Sequence, residues 1–105
     1  MNDVWLVLCN VPDVATARAI AARLVESRAA ACVNISHACE SVYRWDGAVE
    51  RATEVPLAIK TVAEKYAEVE TIIRGMHPYQ VPEIVAVPVA MGLTSYLDWV
   101  RNETA

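Results

Sequence analysis

No cluster of lysine and arginine occurs anywhere in these 105 residues, and the net charge is -4. Displacing counterions from a phosphate backbone takes such clusters, so nucleic acid is excluded as a partner. Long apolar runs are also missing. The first one, "VWLVLC", stops far short of the roughly 20 residues that span a bilayer. Asp3 stands where an export signal would carry positive charge, so no membrane partner and a cytoplasmic location are expected. Glycine and proline are scarce, at 3 and 5, which removes the disordered and low-complexity classes. Neither CxxC nor HExxH spacing is present, so no ready zinc site can be read. A Gly-rich phosphate loop is absent, and no serine or cysteine has a His and acid partner placed by the sequence. The chain is therefore not expected to be an enzyme.

Apolar residues make up 55% of the chain against 21% charged. With neither a linker nor a repeat, residues 1–105 form one domain, too small to hide that much apolar surface. Some of it is expected to lie against another subunit. Cys9, Cys32 and Cys39 are an odd number without an export signal, so they read as thiols rather than a disulfide framework.

"VWLVLCN" fits a buried central strand. "DVATARAIAARLVESR" follows at helical spacing, with Asp13 as N-cap and Val14, Ala17, Ala21, Leu24, Val25 and Arg28 along one side. "AACVNIS" returns to strand alternation. After the irregular "SHACE", Asp46-Gly47 is a preferred pair for a tight hairpin turn, because both central residues need positive φ. On the strand after the turn, Val55, Leu57 and Ile59 alternate with Glu54, Ala58 and Lys60, and Pro56 points to an edge or a bulge. Thr61 and Glu64 have capping-box spacing at the start of a second helix that Gly75 ends. "EIVAVPV" is a strand and "TSYLDWVRNE" a terminal helix with Tyr96, Leu97 and Val100 inward. The order β-α-β-β-α-β plus a helix predicts an α+β, ferredoxin-like split βαβ sandwich, with two helices on one face of a four-stranded antiparallel sheet. The two middle strands run from about residue 31 to residue 60, longer than the usual strand. They are expected to project as a ribbon whose exposed edges another chain covers, unless the patch at residues 36–40 cuts the ribbon short.

Two groups of side chains could carry function. His37 and Cys39, two apart in extended chain, reach the same side and could pinch a soft ion with Glu40 nearby. Met76 beside His77 is a second soft pair. Against these stand a polar surface bend and a turn in which the imidazole merely hydrogen-bonds. The second group is a cleft in which Trp45, Glu54, Lys60, Tyr79, Gln80 and Glu83 share one space and take a small ligand; the alternative is an inter-subunit salt bridge.

Taken in order, "CNVPDVATARAIAARLVESRAAACVNI", "SVYRWDGAVE", "EVPLAIKT", "HPYQVPEIVAVPV" and "YLDWV" resemble the CutA divalent-cation tolerance family over nearly the whole chain. The resemblance implies a cytosolic homotrimer joined through the long ribbon of the two middle strands. It also implies an association with copper and other divalent cations, a metal role for Cys and His positions in some members, and no established catalysis. Ser36-His37-Ala38-Cys39-Glu40 departs from the Pro-Gly bend of many members, and Met76 stands where some carry a second His. A small-ligand sensor that uses inter-subunit clefts, by analogy with signalling trimers of this fold, and a purely structural partner protein are the other readings.

Overall fold

In the computed structural model, which describes residues 3–105, the elements are β1 (Val4–Val11), α1 (Val14–Glu26), β2 (Cys32–Ile35), β3 (Cys39–Trp45), β4 (Ala48–Val62), α2 (Tyr66–Met76), β5 (Ile84–Pro88) and α3 (Thr94–Glu103). A single 3-10 turn, Ala63–Lys65, joins β4 to α2. The sheet order is β2-β4-β1-β5, and β3 continues the ladder along β4. All of these pairings are antiparallel. With β2 and β3 taken as one interrupted strand, this is the expected ferredoxin-like split βαβ arrangement.

The interruption has a definite geometry. Ile35 pairs with Leu57 and Cys39 with Glu54, so residues 36–38 face only residues 55 and 56 across the ladder. One residue too many on one side makes a bulge, which bends the strand and sharpens its twist. Pro56 sits at this bulge. It does not lie on an edge strand, because it also pairs with Asn10 of β1. Its carbonyl accepts from Ser36 N–H at 3.0 Å, so its hydrogen-free nitrogen points to the same side, where the chain has stepped off the ladder. The bulge does not shorten the ribbon. All 15 residues of β4 remain strand, and the molecule is drawn out to 44 × 26 × 23 Å.

At the tip, Asp46 and Gly47 have φ of 49° and 81°, the pair of positive values the dipeptide predicts. The core lies on one side of the sheet. Val7, Cys9 and Val11 of β1 and Val55, Leu57 and Ile59 of β4 meet Ala17, Ile20 and Leu24 of α1 and Val69 and Ile73 of α2. The inner stripe of α1 is thus centred on Ile20, and Val14 and Val25 are exposed, contrary to the sequence reading. Arg28 lies beyond the helix end at φ 63°. Asp13 does cap α1, accepting from Thr16 N–H at 2.7 Å, a bond that lowers its carboxyl pKa.

Thr61 is no cap. It is a buried residue of β4 whose hydroxyl donates to the Ala29 carbonyl at 2.6 Å, and α2 starts only after the 3-10 turn. The α2 helix also runs through Gly75 to Met76. Against one end of the sheet, α3 closes a second cluster of Val4, Ala31, Val62 and Val100, with Leu97 beside it. Tyr96 faces outward, 5.7 Å from Trp99 between ring centroids. On the other face of the sheet α3 covers only the end at Val4 and Val62, and Leu8, Val85 and Val87 are exposed beside it, with Lys60 bonded to the Asn34 side-chain carbonyl.

Candidate functional site

The ribbon and the segment after α2 enclose a cleft of about 620 Å³. Strand alternation explains its first wall. Ser41, Tyr43 and Trp45 of β3 lie two apart and share a face with Glu54, the residue opposite Cys39. The second wall is Tyr79, Gln80, Val81 and Glu83. Five of the six residues expected in a cleft therefore do line one. Lys60 does not, being six residues beyond Glu54, about 20 Å along β4. The sequence reading missed Ser41, Val42, Tyr43 and Val81; the alternation running back from Trp45 was the available signal for Ser41 and Tyr43.

His77 fixes the second wall. It is the C-cap residue of α2, with its N–H on the Ile73 carbonyl at 2.8 Å, and it is buried. Tyr79 N–H donates to Nδ1 at 3.1 Å, so Nδ1 carries no hydrogen. The ring is then the Nε2–H tautomer, and Nε2 donates to the Asn10 carbonyl at 2.7 Å. The Tyr79 ring sits 4.7 Å from the imidazole between centroids. The Asn10 amide in turn donates to Glu83 Oε1 at 3.2 Å, so one residue of β1 holds both ends of the segment. His77 is thus the keystone of a rigid corner, with both ring nitrogens in use.

The electrostatics of the cleft are acidic. Partial burial raises the Tyr79 phenol pKa, helped by the charge of Glu54, the nearby Tyr43 and a hydrogen bond donated to Glu54. Behind the wall, burial pushes the Cys9 thiol up to about 12, and the negative charges of Glu83 and Glu54 add to it.

The candidate metal donors fall elsewhere. His37 is exposed on the bulge, and Cys39 begins β3 with its sulfur 4.0 Å from the Ser41 hydroxyl. Glu40 points to the opposite face of the ribbon, paired with Arg51 at 3.1 Å. Met76 is exposed at the end of α2. Among the described residues no three His, Cys, Asp or Glu side chains gather as a metal-holding group.

A ferredoxin-like domain with a projecting two-stranded ribbon and a cleft at its base defines the structural class. The family model of the CutA1 divalent ion tolerance protein matches residues 5–103, and this chain belongs to that family. The divalent-cation tolerance protein CutA of Thermus thermophilus is 46% identical over 99 residues, covering 94% of this chain and 96% of that one. Its namesake from Archaeoglobus fulgidus is 43% identical over 91 residues, covering 87% and 88%. Among solved structures, CutA from Xylella fastidiosa superposes with a TM-score of 0.95 at 40% identity, covering 98% of this chain and 99% of that one. The family is named for tolerance of divalent ions, not for a reaction.

Proposed function

We propose that the protein serves divalent-cation tolerance as a cytoplasmic homotrimer without catalysis, binding copper weakly at exposed soft donors. The observation that carries the assembly is the 15-residue β4, half of it outside the helix-covered sheet, together with the bare sheet face of Leu8, Val85 and Val87. Unpaired ribbon edges and an apolar face of that kind call for a second copy of the chain. Lys60 and Asn34 on the same face belong to this interface rather than to the cleft. Light scattering at micromolar concentration is expected to give three times the chain mass; a monomer refutes the assembly.

For metal, His37 and Cys39 are the favoured donors, because both are exposed and neither is engaged by an ion pair. Met76 with His77 comes second, since the His77 ring would first have to give up a hydrogen bond. Thiol and imidazole rank copper above zinc, magnesium and calcium. Titration calorimetry of the reduced protein with each ion checks the order, and magnesium or calcium binding tighter than copper contradicts it. Three free cysteines support a reducing compartment. The second reading, a small-ligand sensor, is favoured by the cleft, whose volume falls within the range of ordinary ligand sites.

A further inference from the structure

Lys60 is half-buried on the sheet face turned away from α1 and α2, and its ammonium donates to the neutral Asn34 side-chain carbonyl. It forms no ion pair among the described residues. Strand parity puts Glu54 on the same side of β4, since both alternate with Val55, Leu57 and Ile59 of the core. Glu54 is only 9% exposed, Glu83 lines the same cleft, and among the described residues neither has a cation within ion-pair distance. One end of this face thus carries an unpaired cation and the other two unpaired carboxylates. Between them, level with Ala58, Leu8 and Val85 are exposed.

Within one chain the two ends do not meet. Six residues of strand separate Lys60 from Glu54, about 20 Å, which is further than a lysine side chain reaches. Between copies the separation is no obstacle, and assembly supplies the reason for the meeting. The apolar face and the ribbon together hold all three charged groups, so a second copy that covers them takes each group out of water. A charge desolvated without a partner is costly, and an identical copy brings the complement of both ends with it. Resting on the reading of the protein as a homotrimer, we propose that Lys60 of each copy enters the cleft of its neighbour and pairs there with Glu54 and Glu83. The patches so joined differ, which makes the contact heterologous, and a heterologous contact that closes gives a ring. Each copy gives one lysine and receives one. The sixth residue that the sequence assigns to the cleft, missing from it within one chain, is then supplied by the next.

The test treats the assembled full chain at neutral pH with a water-soluble carbodiimide, which joins an ammonium to a carboxylate only where the two touch. A denaturing gel and peptide mass spectrometry read the product. Covalent multimers in which Lys60 is joined to Glu54 or Glu83 are expected, and the distance within a chain assigns that link to two copies. A second measurement does not depend on access of the reagent. Lys60→Met, which keeps the apolar stem, and Glu83→Gln, at an exposed position, are each expected to weaken association about tenfold or more, read as the dilution at which light scattering loses the assembly. The double variant is expected to lose little further, because either change already breaks the same pair. Lys60 joined to a different carboxylate, additive losses, or no loss with Lys60→Met overturns the pairing while the assembly stands. A parent chain that is a monomer in light scattering brings down the assembly reading and the pairing together.

Discussion

The strand β4 has two halves, and they differ both in pairing and in burial. From Val55 to Val62 it lies between β1 and β2, with Leu57 and Ile59 sealed in the core. From Ala48 to Glu54 it pairs with β3 alone, and its side chains are mostly exposed down to Glu54. Pro56 and the bulge mark the change. The lesson is that one continuous strand serves both a stability half and a binding half. Core packing is concentrated in the first, and the aromatic and acidic residues that could meet a ligand or a partner are concentrated around the second.

The comparison breaks most sharply on truncation. Leu57→Ala is expected to cost about 2–5 kcal/mol in urea unfolding, as for other large-to-small core changes. Val49→Ala on the ribbon, 62% exposed, should stay within about 0.5 kcal/mol for the chain alone. A larger loss with a Tm that depends on protein concentration means that the ribbon is covered by another copy.

Alkaline pH probes the stability half through Cys9. Its folded pKa of about 12 lies above the ordinary value of 9.0, so the native state keeps a proton that the unfolded chain releases. Stability is then flat below about 9 and falls as pH rises toward 12. Tyr66, Tyr79 and Tyr96, also raised, push the same way. Cys9→Ala, compared with the parent chain across that window, isolates the thiol by a shallower decline.

The corner between the halves is next. His77→Ala removes the bonds to the Asn10 carbonyl and the Tyr79 amide, and should cost about 1–3 kcal/mol. Copper stoichiometry by calorimetry is expected to stay intact in that variant and to drop in the double variant His37→Ala, Cys39→Ala. Loss of all copper in the His77 variant alone reverses the assignment. Gly47→Ala comes last. No atom crowds the new methyl group, so the cost is the positive φ alone, roughly 1 kcal/mol by thermal unfolding.

Much of this was legible from local pattern. Alternation located the strands, Asp46-Gly47 located the tip, and the Pro-bracketed His77 read correctly as a corner. What failed required knowing which side of an element meets what. Thr61 and Glu64 have the spacing of a capping box, but the Ala29 carbonyl captures the Thr61 hydroxyl first. Val14 and Val25 are as apolar as Ile20, and only the position of the sheet decides which of them is inside. Lys60 shares the alternation of Glu54, yet distance along a strand separates them, which parity does not record. Among the described residues, the cleft contacts most remote from sequence reasoning are those through Asn10, 67 positions from His77.

The division of β4 also sets an order of assembly. Trp45 and Ala48 are three positions apart, so the hairpin half can zip as soon as its turn closes. The other half must find β1, whose partners run from Val11 with Val55 to Val4 with Val62, separations of 44 (55 − 11) and 58 (62 − 4). Closing such long loops carries a larger entropy cost and slows the step that needs it. Pulse-labelled hydrogen exchange during refolding should protect ribbon amides before those of β1, and the reverse order contradicts this. The half of the strand that contributes least to the finished core is then the first piece of sheet the chain makes.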